Sequence, residues 1–240
     1  MKAVIFGALF FPALALAKAA ELEPTSIASS PLPMMGLLAA MALIPFAIVM
    51  LTSFSKIVVV LSIARSALGT QQAPPTMVLT GLAAVLSAHI MAPVVERMYA
   101  VGKDAYSETA TTQQLLSAAG SVAQPMREFL LKHGAAEERA RFADLARELR
   151  PESEASQVSE EDVTVIVPAF VLTELKEAFI IGFLIFLPFL VLDMLVANVL
   201  LALGMQTLSP SQVSLPFKIL LFVAVDGWAL LSRGLILGYR

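Results

Sequence analysis

The segment Ser53-Phe54-Ser55-Lys56 carries the residue types of a catalytic pair, a serine followed three residues later by a lysine. This spacing occurs in hydrolases in which a lysine lies beside the serine nucleophile as a candidate base. The companion Ser-Asp-Asn and Lys-Thr-Gly motifs are absent from the sequence. Because so short a pattern often arises by chance, a serine–lysine hydrolase is kept only as an alternative, and substitution of Ser53 by alanine is its test.

Other chemistry-bearing residue types are few. His89 and His133 are the only histidines, and there is no cysteine, so disulfides, thiol nucleophiles and thiolate metal sites are excluded. The sequence has no phosphate-binding glycine loop, no dinucleotide fingerprint, no His-Glu-x-x-His and no calcium loop. A net charge of -3 offers no electrostatic case for nucleic acid. We therefore expect no enzyme activity, no cofactor, no metal and no nucleic-acid partner.

A set of ionisable residues inside apolar stretches is more informative. An ionisable side chain within the hydrocarbon region is costly unless it is paired or hydrated, so each member marks a functional or assembly site. Lys176 and Arg233 can snorkel to the headgroups from segment ends, whereas Asp193 and Asp226 are too short to do so. We expect each remaining member to find a partner on another helix, on another subunit or in a water-filled space. The set is Lys56, Glu174, Lys176, Glu177, Asp193, Lys218, Asp226 and Arg233.

The composition identifies the elements that hold these charges. The 240 residues are 58% hydrophobic and only 15% charged, with a mean hydropathy of +0.82. A soluble domain has about 45–50% apolar and about 25% charged residues, so the chain is predicted to cross a membrane several times. Residues 96–162 contain 21 of the 35 charged side chains, 8 basic and 13 acidic. This segment is predicted to be a soluble insert.

These patterns predict an all-α membrane protein with two long helical hairpins, four apolar helices in all, and a small helical insert. Residues 1–19 form a signal peptide or an N-terminal anchor, because Lys2 precedes an apolar run with small-x-small cleavage geometry. The first hairpin covers 34–95, the insert 96–162 and the second hairpin 163–240. A turn at 69–75, with its two consecutive prolines, separates the first two apolar helices.

Within the insert, Pro125 is predicted at the first position of a helix that Gly134 ends. A second helix is predicted over 135–149, with Glu137 and Arg141 spaced as an i,i+4 ion pair. Its apolar positions are Phe142, Leu145, Ala146 and Leu149. Residues 151–162, with five acidic residues and no basic one, are predicted to be a solvated tether. After the insert, residues 204–214 form a turn, and a last apolar segment follows over 215–239.

The orientation follows from the basic residues near short loops. Lys56 and Arg65 flank the loop at 64–76, which places that loop in the cytoplasm. The acidic insert then lies on the opposite side of the membrane. A cleaved signal peptide predicts the same topology.

Three long strings resemble the FliP/SctR family of type III secretion export-apparatus proteins. They are residues 69–75 (Gly-Thr-Gln-Gln-Ala-Pro-Pro), residues 168–179 with Gly182, and residues 214–218 leading to 225–228. Residues 124–132 also resemble the family's insert, and the order is colinear from about residue 34 to 232. The motif loop consists of Gly69, Gln71, Gln72, Pro74 and Pro75 with the residues between them.

The resemblance implies a protein without catalysis that assembles as a pentamer in the bacterial inner membrane, with its insert in the periplasm. Two smaller export-apparatus membrane proteins complete a cone-like gate through which unfolded proteins are exported. Carried over by position, Lys56 and Glu174 are a charged pair that links neighbouring subunits. Met205 and Leu208 stand where flagellar members have a methionine-rich gasket, although only one methionine is present here.

Two questions are left open by the sequence. The tail and residues 213–218 are more similar to injectisome members of the family, whereas the signal-like N-terminus is more similar to flagellar ones. The alternative function is a small-solute transporter or ion channel. Membrane lipid is an expected partner under either function. Such proteins usually show inverted repeats or a filter sequence, and the two hairpins show no convincing repeat.

Overall fold

A computed structural model describes residues 31–70, 73–105, 112–205 and 207–240. These residues form nine α-helices and contain no strand, which confirms the all-α class. The predicted signal peptide or anchor at 1–19 lies outside the described residues, as do Gln71 and Gln72 of the motif loop.

The first apolar region contains three helices, α1 (Pro31–Leu51), α2 (Phe54–Ala67) and α3 (Thr76–Ala105). The turn predicted at 69–75 separates α2 from α3, and Gly69 adopts a left-handed φ of 75° there. Glycine occupies such a conformation without steric cost, which lets the chain reverse at the end of α2. Thr52 and Ser53 interrupt the apolar stretch between α1 and α2, where the sequence predicted one apolar helix before the turn at 69–75.

The insert contains α4 (Thr112–His133), α5 (Ala136–Glu148) and the short α6 (Glu152–Ala155). The predicted end of α4 at Gly134 is confirmed, since Gly134 N–H donates to the Leu130 carbonyl at 2.8 Å. The predicted start is wrong, because Pro125 lies inside α4. A proline inside a helix has no backbone N–H, so one backbone hydrogen bond of the helix is missing. Here buried residues on both sides of it, including Ala123 and Met126, pack the helix through that position.

The predicted helix over 135–149 corresponds to α5, and its Glu137–Arg141 pair is confirmed at 2.6 Å. Only part of its predicted apolar stripe is buried against other residues. Phe142 and Ala146 pack against Ala143, Val158 and Val165, whereas Leu149 is 86% exposed. Val158 is buried, so the segment predicted as a solvated tether packs in part against α5.

The last region contains α7 (Val163–Ala202), α8 (Pro210–Ala224) and α9 (Gly227–Leu237). The final apolar segment, predicted as one helix, is broken at Asp226, which adopts a φ of 50°. The axes of α8 and α9 differ by 58° at this break. Apolar composition predicts the length of such a segment but does not mark a single residue in the left-handed region, which is why the break was not foreseen.

By length and composition, α3 and α7 can each cross a membrane. The described residues contain up to four spans if α1 with α2, and α8 with α9, each count as one broken span. The number agrees with the four apolar helices predicted from the sequence. The chain is accordingly a helical membrane protein.

The described residues divide into two compact units, one within residues 31–52 and 91–173, the other within residues 53–90 and 174–240. In the second unit, α2, α3, α7 and α9 share one core that includes Leu61, Leu79, Ala178 and Leu235. A further cluster joins the end of α2 to Phe189 and Phe222. The predicted division into two hairpins and an insert stays a prediction.

Gly182 shows how closely two of these helices approach. A Cβ atom at Gly182 of α7 would lie 2.4 Å from Cδ1 and 3.1 Å from Cβ of Ile63 on α2. Rotating the Ile63 side chain moves Cδ1 but leaves its own Cβ in place. The contact between α7 and α2 therefore requires glycine at this position.

Candidate functional site: two buried ionic clusters

A buried ion pair joins α2 to α7. Lys56 Nζ lies 3.2 Å from Oε1 of Glu174, and it also contacts the carboxylate of Glu177 one turn further along α7. The Lys56 and Glu174 side chains are 5% and 0% exposed, whereas the Glu177 side chain is 48% exposed. Two carboxylates share one ammonium, so the cluster has a negative excess on its open side.

Tyr239 completes this first cluster from the segment that follows α9. Its hydroxyl donates a hydrogen bond to Oε2 of Glu174, while Nζ of Lys56 lies 4.4 Å from the centre of its ring. An ammonium at this distance from an aromatic face is attracted by the ring's negative surface. Tyr239 itself is buried. Both oxygens of the buried Glu174 carboxylate are thereby satisfied, one by Lys56 and one by Tyr239.

A second buried ionic cluster joins α2, α7 and α8. Lys218 Nζ lies 2.6 Å from Oδ2 of Asp193, and it donates a hydrogen bond to the Ala67 carbonyl at 3.3 Å. The Ser214 hydroxyl donates to Oδ1 of Asp193 at 2.5 Å. The Ala67 carbonyl belongs to the last residue of α2, where helix carbonyls have no partner within the helix. The Lys218 ammonium therefore both neutralises Asp193 and caps the end of α2.

The remaining predicted site residues that the structure describes are exposed, except Pro74, which is partly buried. Asp226 is exposed at the break between α8 and α9. Met205 and Leu208 are 47% and 45% exposed in the connection between α7 and α8. In the motif loop, the Pro74 carbonyl accepts a hydrogen bond from Arg65 at 3.3 Å. These positions are consistent with surface roles, and those roles stay predictions.

The geometry does not favour a serine–lysine hydrolase. The Ser53 hydroxyl donates to the Ser87 hydroxyl at 3.1 Å, and both serines are buried. The Lys56 ammonium contacts the Glu174 and Glu177 carboxylates. Nor does the part of the chain that the structure describes bring three His, Asp or Glu residues together as a metal site.

Two cluster members, Ser214 and Tyr239, are absent from the predicted site residues. For Ser214 a signal exists in the sequence, because it lies four residues before Lys218, a helical spacing that points both side chains to one face. For Tyr239 the sequence indicates only the end of the last apolar segment, predicted over 215–239. Its partner Glu174 lies 65 residues away in the chain, and only the tertiary fold brings the two together.

Fold and site together define a class of protein: a helical membrane protein whose apolar helices are joined by buried ion pairs. Residues 37–235 match the FliP family, and the chain belongs to this family. It is 47% identical over 203 residues to "Hypersensitivity response secretion protein HrcR" of Ralstonia nicotianae, covering 84% of this chain and 94% of that protein.

Two further relatives show the breadth of the family. "Yop proteins translocation protein R" of Yersinia pestis is 42% identical over 204 residues, which cover 84% of this chain and 93% of the relative. "Flagellar biosynthetic protein FliP" of Pectobacterium carotovorum is 43% identical over 199 residues, which cover 83% of this chain and 75% of the relative. The predicted family resemblance is thereby confirmed.

Proposed function

We propose that the chain is a core subunit of the export gate of a type III secretion system, with a structural rather than a catalytic role. The observation that carries the proposal is the buried pair of Lys56 and Glu174 between apolar helices of a FliP-family chain. A buried ion pair is retained for specific geometry more readily than for stability, because desolvation offsets its Coulomb energy. A fixed arrangement of α2 and α7 is what an assembly of identical subunits requires, because every copy must present the same surface to its neighbour.

The proposed assembly is a pore of about five copies, completed by two smaller membrane proteins of the export apparatus. Its supporting feature is the apolar surface of α7, where Phe179 and Phe183 are each 62% exposed. Exposed aromatic side chains of this size pack against lipid or against a neighbouring chain. Unfolded proteins pass through the pore, and Met205 with Leu208 contributes to a gasket that closes it.

The pair of Lys56 and Glu174 has a second proposed role between subunits. In the single chain the pair forms within the molecule, between α2 and α7. We propose that the pair is remade between neighbouring subunits when the ring forms. The exposure of Glu177 supports this, because it gives the cluster an open, negatively charged side that a neighbour can approach.

The proposed system is an injectisome, and the proposed location is the bacterial inner membrane with the insert in the periplasm. The secretion relative from Ralstonia supports the first part, since it is 47% identical to this chain, against 43% for the flagellar relative from Pectobacterium. The acidic insert and the basic residues at the 64–76 loop support the second part.

Gentle detergent extraction followed by native mass spectrometry tests the proposal. We expect a ring of about five copies with small membrane proteins attached. A chain that is only monomeric or dimeric after extraction from its native membrane would contradict it. Solute flux through vesicles containing this chain alone would instead favour the transporter or channel, the alternative function.

A further inference from the structure

Tyr239 lies outside the part of the chain that matches the FliP family, which ends at residue 235. Even so, it is buried against Glu174 and Lys56, the two charged residues on which the proposed function depends. We propose that Tyr239 is a positioning residue that fixes the Glu174 carboxylate and so sets the geometry of its pair with Lys56. The expected effect of Tyr239 on ring formation rests on the proposed function, whereas its expected effect on the stability of the isolated chain does not.

The first argument concerns the lone pairs of Glu174. Its side chain is 0% exposed, so water is not available to the carboxylate oxygens. Lys56 contacts Oε1 and the Tyr239 hydroxyl donates to Oε2. Without the hydroxyl, Oε2 would lose a charge-assisted hydrogen bond in a buried site, and such a bond is stronger than one between neutral groups. The carboxylate would then be free to turn toward Lys56 with both oxygens.

The second argument concerns Lys56, which has two carboxylates to choose between. Glu177 is partly exposed and Glu174 is fully buried. The Tyr239 ring lies 4.4 Å from Nζ and adds an attraction that the ammonium keeps only at its present position. The hydroxyl therefore orients Glu174, and the ring holds Lys56 beside it. Two different parts of one side chain act on two members of the pair.

This division makes the proposal testable with a graded series. Tyr239→Phe removes the hydroxyl and keeps the ring, whereas Tyr239→Leu removes both. Tyr99→Phe is the matched control, because it deletes the same hydroxyl from a tyrosine that is 73% exposed on α3. Unfolding of each purified chain is measured in mild detergent, and ring formation is measured separately by native mass spectrometry.

For Tyr239→Phe we expect the ratio of folded to unfolded chain to fall by a factor of about 5 to 30, as loss of a hydrogen bond to a buried charge predicts. Tyr239→Leu should lower it further, and Tyr99→Phe should leave it unchanged. Equal unfolding of Tyr239→Phe and the wild-type chain would overturn the proposal.

A double-mutant cycle separates positioning of Glu174 from general packing. In a Glu174→Leu background the hydroxyl has no carboxylate to orient, so Tyr239→Phe should cause no further loss of stability. In an Asp193→Asn background, which alters the other ionic cluster, its effect should be the same as in the wild type. An equal loss in all three backgrounds would mean that Tyr239 only fills space, and the proposal would be wrong.

The readouts also distinguish this proposal from the proposed function. The cycle is measured on the unfolding of isolated chains and does not need a ring. A wild-type chain that forms no ring contradicts the export-gate proposal, while coupling between Tyr239 and Glu174 still supports the positioning role. In rings that do form, Tyr239→Phe should reduce the ring fraction, and Tyr99→Phe should not.

Discussion

Lys218 on α8 and Asp193 on α7 form a partly buried ion pair in which Nζ and Oδ2 are 2.6 Å apart. The same ammonium caps the end of α2 through the Ala67 carbonyl. One side chain thus connects the consecutive helices α7 and α8 to α2, whose Ala67 lies 151 residues away in the chain. A hydrophobic residue of the same size could fill the space, but it could neither neutralise Asp193 nor satisfy the carbonyl.

Lys218→Met should lower the free energy of unfolding by about 3 kcal/mol, because it leaves the Asp193 charge without its partner. We place the value at the low end of the range for buried pairs, since the Asp193 side chain is 29% exposed. The measurement is denaturation in a mixture of mild and denaturing detergents. Asp144→Asn is the control, because it removes the charge of an exposed pair with Arg147 and should cost less than about 1 kcal/mol. Similar losses for the two variants would contradict this assignment.

Glu174→Lys should abolish ring formation, because it places two positive charges together at a buried site. Adding Lys56→Glu to the same chain should restore rings only in part, since the new carboxylate faces Glu177. A third change, Glu177→Gln, should remove that repulsion and improve the rescue. Native mass spectrometry of each variant measures the ring fraction. Absence of any rescue would count against the pair.

Co-expression of two single variants tests the link between subunits. If Lys56 and Glu174 of neighbouring subunits pair in the ring, chains with Glu174→Lys should assemble together with chains carrying Lys56→Glu. If the pair acts only within one chain, the mixture should fail while the double variant succeeds. Because a ring of five cannot alternate the two variants completely, we expect mixed rings at reduced yield. A mass tag on one variant lets native mass spectrometry read their composition.

The proposed topology can be mapped with single cysteines, because the natural sequence has none. A membrane-impermeant maleimide added to spheroplasts should label Ser153→Cys in the insert and should not label Ala73→Cys in the motif loop. Both positions are exposed in the structure, so burial does not explain a difference. Permeabilised cells should label both. The reverse pattern in spheroplasts would invert the orientation derived from Lys56 and Arg65.

Gly182→Ala should destabilise the chain by about 1–3 kcal/mol, the usual cost of overpacking a core, because its Cβ would overlap Ile63. Gly81→Ala is the matched control, since a Cβ there meets no atom within 4 Å. That substitution in α3 should be neutral or stabilising, as alanine is the better helix former. Adding Ile63→Ala should recover part of the loss at Gly182. Equal effects at the two glycines would refute the close approach of α7 and α2.

The sequence predicted those parts of the structure that depend on local signals. The turn at 69–75 follows from consecutive prolines, α5 from its periodic apolar residues, and the Glu137–Arg141 pair from helical spacing. Each of these features is set by residues within a few positions of one another. The charged residues in the apolar stretches were also recognised, because their cost in such surroundings does not depend on the fold.

The partners of those charges could not be predicted from the residues alone. Lys218 and Asp193 are 25 residues apart, and either could have paired with another of the charged residues. Asp226 had the same sequence signal as Asp193, yet it lies exposed at a helix break. Hydropathy measures how apolar a segment is, but it contains no information about which side chains meet after folding.

The break at Asp226 also limits how far α8 and α9 can reach through a bilayer. With 15 and 11 residues, these helices are about 22 Å and about 16 Å long. When α8 stands along the membrane normal, the 58° bend leaves α9 about 9 Å of depth, so the two together just cover the roughly 30 Å of hydrocarbon. An exposed carboxylate then lies about 9 Å beneath one hydrocarbon boundary. Tilting α8 so that both helices share the bend lengthens the crossing to about 34 Å but does not bring Asp226 nearer to a boundary, so water or another protein must reach this carboxylate.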